Sequence, residues 1–285
     1  MDFHFYKYHA LGNDYIVIDP NKAGIDLSAA NVRLICHRHF GIGSDGILVG
    51  PYFQGSSMGL QILNPDGSEA EKSGNGVRIF SRYLVDAGYV TTREFSLATL
   101  GGNVYVELLD DCGSQIRIDM GTVTFQSGDI PVAGPAREVV NEQLLVQGRP
   151  VAVTCVSIGN PHCVVLAEET SQATALALGP AIERHDLFPN RINVQFLQVL
   201  DRNNIRIEIW ERGAGYTLAS GSSSCAAASA AYKLGLVDRE INVHMPGGII
   251  KVDIRQDGHV FMTGSVNPVG KGFFAAEIWN QLQAR

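Results

Sequence analysis

Ser73-Gly74-Asn75 and Ser220-Gly221-Ser222 are the stretches whose reading decides the fold. They stand 147 residues apart, the same offset that carries Leu11-Gly12-Asn13-Asp14 onto Ile158-Gly159-Asn160-Pro161. Each Ser-Gly opens a helix-like stretch that closes on a glycine fifteen residues after the serine, Gly88 in the first copy and Gly235 in the second. Val90 and Val237 then fall on matching places. A constant offset held over this distance is not what chance similarity of loops produces. It implies two homologous halves folded face to face, with corresponding residues meeting near a pseudo-twofold axis. A ligand held there meets the same chemistry from both sides.

Bulk properties narrow the function classes. The chain has 285 residues, 45% hydrophobic and 18% charged, which suits a globular protein of two ordinary domains. A net charge of −7 at pH 7 argues against nucleic acid, which is bound by clustered Lys and Arg. No apolar run approaches the roughly 18 residues that span a bilayer, and Met1-Asp2-Phe3-His4-Phe5 lacks the pattern of a secretory signal. Cys36, Cys112, Cys155, Cys163 and Cys225 show no paired spacing, so a reduced, cytoplasmic setting is expected.

Short strand-like segments dominate: Phe3 to Tyr6, Tyr15 to Ile18, Gln61 to Leu63, Asn103 to Leu108 and Gln115 to Ile118, then Val151 to Thr154, Cys163 to Leu166, Asn193 to Phe196 and Ile205 to Ile209. Helical spacing is clear in few places. Val77, Phe80 and Leu84 follow Ser73 at i, i+3 and i+7, Ala226 to Leu234 follows Ser220, and Val32 to Phe40 also reads as helix. The expectation is an α+β fold of two pseudosymmetric domains, each a mixed or antiparallel sheet wrapped around a central helix. The boundary is expected near Met120-Gly121. Phe261 to Gly264 echoes Ile118 to Gly121, so residues 265–285 should rejoin residues 1–120 as one domain, with 121–264 as the other.

Taken singly, Ser73 and Ser220 are preferred helix N-caps and need no further role. As a repeated pair they offer two helix N-termini, with free N–H groups and positive dipole ends, to one anion, for which a carboxylate is the natural guest. Gly74 and Gly221 let the backbone approach it. Asn13, Asn64, Asn160, Asn193, Glu211 and Arg212 form a second set, in which Asn13 matches Asn160 and Asn64 matches Glu211. Asparagine beside glycine often marks only a turn. Repeat-related amides and charges are better explained as partners of a small zwitterion, with the Arg212 fork on a carboxylate and Glu211 on an ammonium. His162 reads either as a packed polar residue or, beside Asn160 and matched to Tyr15, as a supporting residue facing the cleft.

Two tempting signals fail. Gly41-Ile42-Gly43-Ser44-Asp45-Gly46 matches G-x-G-x-x-G, with Asp66 twenty residues on, but follows a helix-like stretch where a dinucleotide site needs a strand. Cys36-His37-Arg38-His39 has no second ligand group spaced to complete a metal site.

The stretches Lys7 to Tyr15, Asn64 to Arg78, Gly159 to His162 and Glu211 to Gly221 resemble the diaminopimelate epimerase family, and the match spans essentially the whole chain. The resemblance implies two pseudosymmetric α+β domains, no cofactor, and a homodimer. It also implies an opposed pair of cysteines that inverts an amino-acid α-carbon. Both of those positions are serine here, Ser73 and Ser220. Lys72, Ile79 and Tyr216 also depart from the family's Met, Cys and Glu, a spread of neighbouring changes that marks a diverged branch. The expected substrate is a small zwitterionic amino acid, LL- or meso-diaminopimelate. Ser73 and Ser220 would flank its α-carbon, Gly74, Asn75, Gly221 and Ser222 would hold its reacting carboxylate, and the Asn/Glu/Arg set would hold its distal end. Racemisation of another amino acid, elimination from a hydroxylated amino acid, and binding without catalysis are the alternatives that the serines leave open.

Overall fold

In the computed structural model, which describes residues 4–22, 24–55, 57–71 and 73–283, the chain divides into two units: 1–118 with 264–285, and 119–263. Phe3 and Lys72, both singled out above, lie outside the described residues.

The first unit begins with β1 (His4–Ala10) and β2 (Asn13–Ile18), joined by a two-residue turn in which both Leu11 (φ 56°) and Gly12 (φ 87°) are left-handed. Such turns match the twist of the flanking strands. Helix α1 (Ala29–Cys36) leads into β3 (Ile47–Gln54), which lies parallel to β2, and β4 (Ser57–Leu63) returns antiparallel to β3. Helix α2 (Gly74–Asp86) follows, then β5 (Glu94–Thr99), β6 (Gly102–Leu108) and β7 (Gln115–Thr122). β5 runs parallel to β4, and β6 and β7 add antiparallel strands.

The second unit repeats this order. β8 (Glu142–Val146) pairs antiparallel with β9 (Arg149–Ser157), and β9 with β10 (Pro161–Leu166). Helix α3 (Gln172–Glu183) precedes β11 (Asn193–Asp201), parallel to β10, and β12 (Asn204–Glu211) is antiparallel to β11. A short β13 (Gly215–Thr217) folds back on β12 before helix α4 (Gly221–Lys233). β14 (Glu240–Met245) is parallel to β12, and β15 (Gly248–Ile254) and β16 (His259–Ser265) close the series antiparallel. The chain then returns to the first unit as β17 (Asn267–Phe273), paired antiparallel with β1, and α5 (Ala276–Gln283). β17 is thus to β1 what β8 is to β9.

In each unit one helix is wrapped by the sheet. α2 packs against β1, β2, β3, β4 and β6, and α4 against β9, β10, β11, β12, β14 and β15. Residues 74–81 of α2 and 223–231 of α4 are buried without a break, the signature of a helix with no solvent face. In α4, Ala226, Ala227, Ala228, Ala230 and Ala231 give this tight enclosure its small contact surface. Outside the sheet, Ile16 and Ile18 pack with Val32 and Ile35 of α1 and Leu282 of α5, while Val165, Val194 and Phe196 pack with Ala175 and Ile182 of α3.

The expected α+β architecture is present, with differences in detail. The helix read as Val32 to Phe40 stops at Cys36 and starts earlier, at Ala29, capped by Ser28. Its last carbonyls are taken by the glycine-rich loop: Ile42 and Gly43 donate to Ile35 O, and Ser44 donates to Cys36 O. That loop therefore caps a helix C-terminus, where the dipole repels a phosphate.

Candidate active site

Ser73 and Ser220 are the N-caps of α2 and α4. The Ser73 side chain accepts from Gly76 N–H at 3.0 Å, and Ser220 from Ser223 N–H at 3.5 Å. The N–H groups of Gly74 and Asn75, and of Gly221 and Ser222, open their helices and have no intrahelical acceptor. Neither first turn carries an acidic side chain to occupy the dipole end. Both glycines are buried.

The turn asparagines are tied to the second residue of each helix. Asn75 Nδ2 donates to Asn13 Oδ1 at 3.0 Å, and Asn160 Nδ2 donates to Ser222 Oγ at 3.4 Å. The 147-residue offset thus carries a hydrogen bond from one unit to the other. Asn13 is held from behind, its Nδ2 donating to Asp45 Oδ2 at 3.0 Å. Asp45 and Asp14 share Arg38, and Lys7 pairs with Asp14 at 2.8 Å. Arg38 and Lys7 hold the Asp14 carboxyl below the usual carboxylate range, against burial that would raise it. Arg78, fully buried in α2, donates to Asn75 Oδ1 at 2.9 Å and to Gly74 O at 3.3 Å.

In the second unit, His162 supports Asn160 from beneath and does not face outward. It is fully buried, with Nε2 at 3.0 Å from Asn160 Oδ1, and burial pushes its pKa down to about 3, so the ring is neutral. Gln195, also fully buried, donates to Ser223 Oγ at 2.9 Å, fixing the first turn of α4. Asn193 bridges two further pieces: its Nδ2 donates to Pro161 O, and its Oδ1 accepts from Arg212 N–H, both at 2.9 Å. The loop carrying Glu211 and Arg212 hangs on buried Glu183, which accepts from Trp210 Nε1 at 2.8 Å and Gly213 N–H at 3.0 Å. Arg212 itself is exposed.

The structure joins Ser73, Gly74, Asn75 and Asn13 in one network, and Ser220, Gly221, Ser222, Asn160 and His162 in another. Asn193 and Arg212 attach to the second through Pro161. Asn64 belongs to the turn after β4, where its amide donates to Ser68 Oγ at 3.0 Å. Asp45, Arg78, Gln195 and Glu183 were not foreseen as supports. Asp45 lies inside the rejected glycine motif, and the offset alone places Gln195 opposite Leu48, with no polar match to reveal it.

The sequence model described as diaminopimelate epimerase matches residues 5–126 and 154–269. The chain belongs to the diaminopimelate epimerase family. It is 53% identical over 276 residues to diaminopimelate epimerase 2 of a Nostoc species, covering 96% of both chains. It is 40% identical to diaminopimelate epimerase of Moorella thermoacetica, covering 95% of this chain and 99% of that one. Among solved structures, a probable proline racemase from Agrobacterium radiobacter matches with a TM-score of 0.70 at 16% identity, covering 96% of this chain and 93% of that one. A hydroxyproline epimerase from Agrobacterium vitis matches with a TM-score of 0.69 at 14% identity, over 100% of both. These two solved structures share the fold of this chain. Of the departures from the family pattern, Ile79 is buried in α2, and Tyr216 sits across from Trp210 with its hydroxyl donating to Glu208 at 2.7 Å.

Proposed function

We propose that this chain interconverts LL- and meso-diaminopimelate by two opposed proton transfers at one α-carbon, using no cofactor. The observation that carries the reading is the duplicated helix start, a capping serine followed by a buried glycine and tied to a turn asparagine, set in a family member 53% identical to a named epimerase. On this reading the four leading N–H groups, from Gly74, Asn75, Gly221 and Ser222, take the reacting carboxylate, and Ser73 and Ser220 serve the two faces of the α-carbon. Asn13, Asn64, Asn160, Asn193, Glu211 and Arg212 hold the distal amino-acid end. A homodimer in the cytoplasm is part of the same proposal; among the described residues no helix is long and apolar enough to cross a membrane.

The serines set the rate. A thiol ionises near 8.5 and is matched to neutral pH, whereas an aliphatic hydroxyl is a far weaker acid. Incubation with diaminopimelate in heavy water should give slow α-deuteration with inversion. Ser73→Cys together with Ser220→Cys should raise that rate at least about 100-fold, the span of a well-matched general base. Either single change should gain much less. The hydroxyls also favour a second reading, elimination from a hydroxylated amino acid, in which one base suffices. Loss of the α-hydrogen without inversion would select that reading. A folded double variant that binds diaminopimelate and fails to invert it would defeat the first.

A further inference from the structure

We infer that Tyr15 is the positioning partner of Ser73, and that the two serine faces are chemically unequal because, among the described residues, the second unit has no counterpart to it. The inference rests on the epimerase reading for its consequences in turnover, but on the first unit alone for its geometry. The Tyr15 hydroxyl lies 3.3 Å from Ser73 Oγ. That oxygen already accepts from Gly76 N–H, so its lone pair toward the helix is engaged and its own proton is left to be shared with the phenol oxygen or a substrate. The ring is held where it is by the absence of a side chain at Gly46: a Cβ there would stand 2.7 Å from Tyr15 Cε1 and 2.6 Å from Leu63 O. Tyr15 is 8% exposed, so its hydroxyl is delivered from inside the unit.

The residue 147 positions later is His162, and its Nε2 is engaged with Asn160 and not with Ser220. Ser220 Oγ has around it the N–H of Ser223. Both serines accept from a backbone amide of their own helix, and on the first face alone a phenol is added to it.

Phenols ionise near 10, much closer to a thiol than to an aliphatic alcohol. Tyr15 thus restores part of the acidity that the serine lacks. When the Cα–H bond breaks on this face, the hydrogen passes as a proton to Ser73 Oγ while the serine's own proton moves to the Tyr15 oxygen, which enters as phenolate and leaves as phenol. The electron pair of the broken bond stays on the substrate as its carbanion. In reverse, Ser73 gives its proton to the carbanion and takes one from the phenol. Tyr15 touches no substrate atom in this scheme and acts through Ser73.

Tyr15→Phe keeps the ring and removes the oxygen. In the serine background it should lower kcat for α-hydrogen exchange at least about tenfold, with KM within about twofold, because the interaction matters only during proton transfer. In the Ser73→Cys background the loss should be several-fold smaller, since the thiol carries its own proton. Equal losses in the two backgrounds would show a packing role only and overturn the inference. A second arm needs no substrate. The thiol placed by Ser73→Cys is alkylated with iodoacetamide near neutral pH, and the product is followed by peptide mass because Cys112 is also exposed. A hydrogen bond to the thiolate favours it, so adding Tyr15→Phe should slow alkylation about three- to tenfold. An unchanged rate overturns the contact. Should no variant exchange the α-hydrogen of diaminopimelate, the epimerase reading falls, and alkylation alone then decides for or against the Tyr15–Ser73 pair.

Discussion

His162 illustrates how one residue couples site support to acid stability. Burial lowers its pKa to about 3, below the 6.5 of an exposed imidazole. Between those values the unfolded chain binds a proton that the folded chain refuses. Stability therefore falls as pH drops through 6.5 toward about 3, by up to about 1.4 kcal/mol per pH unit from this group, and is unaffected by it above 6.5. His162→Gln should flatten that slope in urea unfolding series over this window, whatever its absolute stability. An unchanged slope would place the acid sensitivity elsewhere. At this scale the sequence was informative wherever the repeat matched like with like, as at Asn13 and Asn160. It was silent where support comes from sheet register: Gln195 lies on β11 between Val194 and Phe196, and only the strand's pairing brings its amide to Ser223.

Among the elements, the glycine-rich loop after α1 does the work of a clamp. Gly41 lies where a Cβ would be 1.9 Å from Leu34 O, and Gly46 lies against Tyr15 and Leu63. Gly46→Ala must push on a backbone carbonyl and on the ring that reaches Ser73. It should cost about 1–3 kcal/mol in denaturant unfolding and reduce exchange as well. Gly59→Ala is the control, since its Cβ would be 3.4 Å from the nearest atom, Tyr52 Cβ, and stability should stay within about 0.5 kcal/mol. Comparable losses in both would refute the clamp.

Strands with β-branched runs, such as Tyr15 to Ile18, were among those legible. β3 escaped because Gly50-Pro51 sits inside it, and proline removes a ladder donor; the strand accommodates it where the pairing shifts register between Val49 and Tyr52. α3 escaped because Gly179-Pro180 reads as a break. In the structure Gly179 stays helical, and the Trp210 ring occupies the space a side chain would need, 2.6 Å from the Cβ position.

At the scale of the whole molecule, the duplication explains why two short dipeptides carried so much information. Each unit has its own strand order, its own enclosed helix and its own apolar core, so the offset between Ser73 and Ser220 reflects two copies of one folding unit. Copies drift independently, which is how Tyr15 in one came to match His162 in the other. The pairing of β17 with β1 has a consequence for synthesis on the ribosome. The outer strand of the first unit is made only after the whole of 119–263 has been synthesised. At about 5–20 residues per second, β1 waits on the order of ten seconds or more for its neighbour. The unit encoded second should thus be the first to become protease-resistant on the nascent chain. Ending the natural sequence just before β17, stalling translation on an unstructured linker long enough to carry it clear of the exit tunnel, and probing by limited proteolysis should show a protected 119–263 fragment beside a digestible amino-terminal segment, and protection appearing in the opposite order would contradict this.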